Sequence, residues 1–69
     1  MITLTRLNDI EFYLNPDLIE LIEETPDTVI SLANGRKFVV LEKADEIVDK
    51  IIEYRKKMLV DLDLIIKKN

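Results

Sequence analysis

Apolar and polar residues alternate along the first forty positions and then change to a period of three and four. Met1 to Leu7 (MITLTRL) places Ile2, Leu4 and Arg6 on one face and Thr3, Thr5 and Leu7 on the other, the two-residue period of a strand. Asn8-Asp9 is a turn pair, because both residues bond their own backbone and tolerate left-handed geometry. A second strand follows over Ile10 to Leu14, with Ile10, Phe12 and Leu14 inward and Glu11 and Tyr13 outward. Asn15-Pro16-Asp17 then interrupts the pattern. Proline removes a donor and pushes Asn15 toward extended geometry, so this is a turn or one helical turn capped by Asn15. Leu18 to Glu24 (LIELIEE) fits a helix about as well as a bulged strand. Its neighbours decide for a strand, closed by Thr25-Pro26-Asp27 as a type I turn with proline second and aspartate third.

Thr28 to Ala33 and Arg36 to Glu42 flank Asn34-Gly35, and they predict a hairpin around a two-residue type I′ turn with φ > 0 at both central residues. Both strands are apolar on both faces, with Val29 opposed to Ile30 and Leu32, and Phe38 and Val40 opposed to Val39 and Leu41. Such strands are usually covered on both sides. One cover is expected from a C-terminal helix, the other from a second subunit or from the sheet curling over itself.

From Ala44 to Lys67 the spacing is helical. Ala44, Val48, Ile51, Arg55, Met58, Leu62 and Ile65 form a stripe, flanked by Ile47, Ile52, Leu59 and Ile66. A helix of that span is roughly 36 Å long, whereas a five-residue strand covers only about 17 Å. The sheet cannot cover the whole stripe, so the distal apolar residues need another partner, or the last ten residues fold back. The expected architecture is α+β: a five-stranded, mostly antiparallel sheet over 1–42, made of two hairpins and a linking strand, then one long helix over 44–67, in a single domain of 69 residues.

Size and composition narrow the chemistry. A chain this short buries only about 60% of the surface its unfolded form exposes, and small domains gain stability from disulfides, metals or oligomerisation. With no cysteine and no histidine, disulfides, imidazole catalysis and ordinary zinc sites are excluded, and homo-oligomerisation is the option left. The net charge of −4 repels a phosphate backbone and weighs against nucleic acid. Yet Lys50, Arg55, Lys56, Lys57, Lys67 and Lys68 all fall in the last twenty residues. Glu20, Glu23, Glu24 and Asp27 lack the spacing of a calcium loop and are expected to be a solvated face, so no metal is assigned. Ser31 lies mid-strand without a base, and a single glycine cannot build a phosphate-binding loop. No enzyme and no cofactor are expected. No apolar run reaches the eighteen or so residues of a membrane span and no signal peptide precedes the first strand, so a cytoplasmic protein is expected.

The phrases MITLTRLN (1–8), NPDLIE (15–20), TPDTVI (25–30) and NGRKFVV (34–40), in this order and spacing, resemble the FlbD/SwrD family of small bacterial flagellar proteins. The resemblance covers residues 1 to about 57. It implies a motility-associated protein, located in the cytoplasm or peripherally at the flagellar base, that supports motor power or assembly without catalysis or a cofactor. It brings no binding residues with it. The expected partner is a protein of the flagellar motor or its assembly machinery. The turn residues Asn15, Asp17, Asp27 and Asn34 are the candidate partner contacts, because loops offer free polar groups, although each is also ordinary turn chemistry. Met58, Leu62, Ile65 and Ile66 are the candidate oligomer interface. A second resemblance, in MITLTR and in the order of five strands then a helix, is to the carbon storage regulator family of dimeric RNA-binding repressors. It would use Arg6, Lys37, Arg55, Lys56 and Lys57, but Leu7 follows Arg6 where that family has a second arginine, and the chain is acidic.

Overall fold

A computed structural model of the chain describes the backbone of residues 1–67 and the side chains of residues 1–59. Five strands precede one helix: β1 Ile2–Thr5, β2 Glu11–Leu14, β3 Ile19–Glu24, β4 Thr28–Leu32, β5 Lys37–Val40 and α1 Ala44–Lys67. The α+β class is as expected, and the strands divide between two antiparallel sheets, β1-β2 and β3-β4-β5. The sheets meet at β1 and β5, where Arg6 forms a single bridge to Val40 and Leu41 N–H donates to the Thr5 carbonyl at 2.9 Å. Glu42 fastens the same junction. Its carboxylate accepts from Thr5 N–H at 2.9 Å and from the Thr5 hydroxyl at 2.7 Å.

Each hairpin turns through three residues, and two of the turns share one design. Around Leu7-Asn8-Asp9, Arg6 N–H donates to Ile10 O and Asp9 N–H to Arg6 O; around Ala33-Asn34-Gly35, Leu32 N–H donates to Arg36 O and Gly35 N–H to Leu32 O. Each asparagine Oδ1 accepts from the N–H two residues on, Ile10 or Arg36. The third residue takes positive φ, 68° at Asp9 and 87° at Gly35. This corrects the expected type I′ turn: Asn34 is not at positive φ, because its side chain closes a local ring onto Arg36 and Gly35 alone supplies the left-handed residue, as in a three-residue hairpin with a glycine bulge. Ile10, expected inward, closes its turn and is 59% exposed. The turn at 25–27 also differs from expectation. Thr25–Pro26 is cis, a geometry that a type I turn does not contain.

Asn15 caps a 3₁₀ turn over Pro16–Leu18, its side chain accepting from Asp17 N–H. β3 pairs with β4 through a bulge between Ile19 and Leu21, which absorbs the double apolar pairs that made this segment ambiguous. The core gathers Ile2, Leu4, Leu14, Ile30, Leu32, Val40 and Ile47. Leu4, Ile30 and Ile47, one each from β1, β4 and α1, are wholly inaccessible.

The helix start is capped by acidic side chains. Lys43 offers no acceptor, so Glu46 reaches back to Lys43 N–H, as in half of a capping box, and Glu24 at the end of β3 accepts from Ala44 N–H. The buried line of α1 is Ile47, with Ile51 and Tyr54 packed against the core. The expected stripe through Ala44, Val48, Ile51 and Arg55 is therefore rotated: Val48 is 46% exposed. A stripe this broad exceeds what one contact with the sheets covers, and the body takes only one edge of it. Met58 continues the Ile47–Ile51–Tyr54 spacing but is 51% exposed, because the strands have ended. The long axis of 50 Å against 23 and 19 Å records the same overhang. Among the described residues, no helix is long and apolar enough to cross a membrane.

Candidate interaction surface

Alternation along β4 and β5 points Thr28, Ile30, Leu32 and Val40 into the core, where all four are buried. The same alternation must turn Val29, Ser31 and Val39 to the opposite face. Register places Val29 beside Val39 on one side and Glu23 on the other, with Leu21 opposite Ser31 and Ser31 opposite Lys37. Leu21 and Val39 stay 50% and 37% exposed, and Leu41, two residues beyond Val39, is 47% exposed. Nothing in the described chain covers this apolar face, which Glu23 and Lys37 border. The expectation that these strands need two covers is met on one side only.

The turn residues do not form one site. Leu18 O accepts from Ala33 N–H, so Asn15, Asp17 and Asn34 gather at the end of the sheet where Ile19 pairs with Leu32. Asp27 lies at the opposite end, beyond the Glu24–Thr28 pair. Asn15 and Asn34 spend their side-chain acceptors inside their own turns. Asp17 pairs with Arg55 at 3.1 Å, with both side chains more than half exposed, an arrangement worth little in energy. In the helical tail Met58 is exposed, and the side chains of Leu62, Ile65 and Ile66 lie outside the described residues.

The basic residues are similarly dispersed. The Arg6 guanidinium stands 4.5 Å from the Phe12 ring centre and 5.3 Å from that of Phe38. The two rings are 5.3 Å apart at 34°, and the Arg36 guanidinium also lies over the Phe38 ring, 5.2 Å from its centre. These contacts rivet β2 to β5 across the sheet junction, a packing role that residue spacing did not reveal because the partners are distant in sequence. Lys37 faces the other side of the sheet, and Arg55 is held by Asp17. Among the described residues no group of three acidic side chains is placed to hold a metal ion.

The fold lowers the pKa of the Glu42 carboxyl. Burial by itself would raise its pKa, but the hydrogen bonds from Thr5 N–H and from the Thr5 hydroxyl, with Lys50 nearby, bring it below the ordinary 4.5.

Residues 1–59 match the family FlbD, flagellar and swarming motility proteins. No curated protein and no solved structure matches the chain.

Proposed function

Because the chain belongs to the FlbD family of flagellar and swarming motility proteins, we propose that it is a non-enzymatic accessory of the flagellar motor or its assembly machinery, acting in the cytoplasm by protein–protein contact. The observation that carries this reading is the extent of the family match. Residues 1–59 are the folded body, from β1 to the point where α1 leaves the sheets. What supports contact rather than chemistry is the apolar face of Leu21, Val29, Val39 and Leu41, since contiguous exposed apolar surface marks interaction sites. The loop end that carries Asn15, Asp17 and Asn34 adjoins the Leu21 row and would form its polar rim.

The test is a Val39→Lys variant replacing the native copy in motile cells, scored for swimming and swarming beside a deletion. A folded variant with the deletion's motility defect, together with loss of motor or assembly proteins from a crosslinked pull-down that the native chain retains, is the expected result. Full motility with an unchanged set of captured proteins would remove this face from the reading. Specific transcripts captured instead, and lost on nuclease treatment, would overturn the reading itself.

A further inference from the structure

Thr5 shows how the edge of β1 takes a carboxylate. Its N–H and its hydroxyl both donate to Glu42, at 2.9 and 2.7 Å, with Lys50 near enough to help hold the acid charged. In an antiparallel pair only alternate residues bond the neighbouring strand. Thr5 is not one of them, since its N–H goes to Glu42 and its carbonyl accepts from Leu41. Thr3, two residues back and opposite Tyr13, therefore turns its backbone groups the same way, off β2. The stretch of chain that meets Thr5 leaves for α1 after Glu42 and does not reach Thr3. Thr3 thus repeats the donor set of Thr5, an N–H and a hydroxyl, and among the described residues neither has a partner.

Beside Thr3, the strand and α1 enclose an open groove of about 680 Å³, walled by Ile2 and Thr3 on one side and by Lys50, Tyr54 and Lys57 on the other. Those three helix residues are spaced four and three apart, so they form one row, next to the row that Ile47 and Ile51 bury. Glu53 lies further round the helix, and Asp49 and Lys56 stand at the outer rim. The charges nearest the strand are therefore two ammonium groups. Lys50 is half-buried and Lys57 exposed, and among the described residues neither forms an ion pair. We propose that the groove binds an extended acidic segment of a protein partner, which lays a carboxylate on Thr3 as Glu42 lays its own on Thr5. An extended backbone matches the N–H and C=O of an open strand edge. Its alternate side chains face α1, where a carboxylate meets Lys50 and Lys57. Nucleic acid has no peptide groups to pair with Thr3, and the net charge of −4 repels it. This inference does not rest on the motility reading and uses none of the outer sheet face.

The probe is an end-blocked hexapeptide of alternating glutamate and valine, with its glutamine counterpart as the control. Titrated to millimolar concentration into the isotope-labelled full chain, the acidic peptide should move the amide signals of Ile2 to Leu4 and of Lys50 to Lys57 along a saturable curve. The glutamine peptide should bind about tenfold more weakly, the size of one lost charge-assisted hydrogen bond. Thr3→Val and Lys57→Gln should each weaken binding several-fold. Neither side chain is buried, so the urea transition of both variants should stay that of the native chain. No saturable shift, equal shifts from the glutamine peptide, or shifts confined to the Leu21–Val39 face would overturn the proposal. Larger shifts at the same amides from a thymidine oligonucleotide would give the groove to nucleic acid instead. The same shifts on concentrating the chain alone would give it to a second copy, and either result would overturn the proposal as well.

Discussion

Asp9 and Gly35 hold the same place in two loops of one design, both at positive φ, and the residue types make the two unequal. Left-handed backbone costs an ordinary L-residue about 1–2 kcal/mol, and the space around Gly35 is open, so a methyl group there meets no atom and the penalty is purely conformational. Gly35→Ala should therefore lower stability by about 1–2 kcal/mol, and Asp9→Gly should raise it by about 0.5 kcal/mol, both read as urea midpoints at constant slope. Equal midpoints for all three chains would refute the shared turn design. Glu42 provides the acid test. Its folded pKa lies below 4.5, so its contribution is fully present above the unfolded value and is lost as pH falls through the folded one. Glu42→Gln should remove that part of the acid sensitivity below about pH 4.5. An unchanged slope of stability with pH would show that the Thr5–Glu42 clamp does not hold in solution.

At the scale of elements, α1 is joined to the sheets by Ile47 in the core, by Ile51 and Tyr54 packed against it, and by a cap borrowed from Glu24. Among the described residues of the helix Ile47 is wholly buried, and its truncation to alanine should cost about 2–5 kcal/mol. That is a large share of what a domain this small possesses. Glu24 serves the helix from β3, because Lys43 before the first turn has no acceptor to offer. Glu24→Ala should cost about 1 kcal/mol and loosen hydrogen-exchange protection in the first turn of α1, while β1-β2 stays protected. Uniform loss across both sheets would argue against a local cap. The expectation of a solvated acidic face did not foresee this. Glu24 stands in a run of carboxylates, and nothing in the run itself tells which one meets a helix twenty residues later.

The whole molecule is a compact body with a helix that outruns it. Truncation after Met58 should leave the sheets and the first half of α1 folded, since the described core ends at Tyr54, and the self-association expected of the tail predicts a lower mass for the truncated chain than its lost residues account for. A mass by light scattering that falls only by the lost residues would separate self-association from the tail. The family match ends close to the same point, at residue 59.

The local code was strong enough to declare β1, β2, β4 and β5, the asparagine-capped turn at 15–17 and the start of the helix, whereas β3 was decided by its neighbours and the end of the helix was left open between continuing and folding back. Two-residue and three-to-four-residue periods, Asn-Gly and proline act within a few residues of where they stand. Three things required the tertiary structure. Asn34 needed its bond to Arg36 before the turn type was settled. The five strands needed the Thr5–Glu42 clamp and the Arg6 bridge to Val40 to place β1 beside β5. The broad stripe of α1 needed the body itself to decide that Ile47 goes in while Val48 stays out, because a 100° difference on a helix is resolved by what packs against it. Function divided in the same way: the ordered phrases of residues 1–40 pointed to a motility family, whereas the surface left bare for partners exists only once the core has chosen its side of each strand.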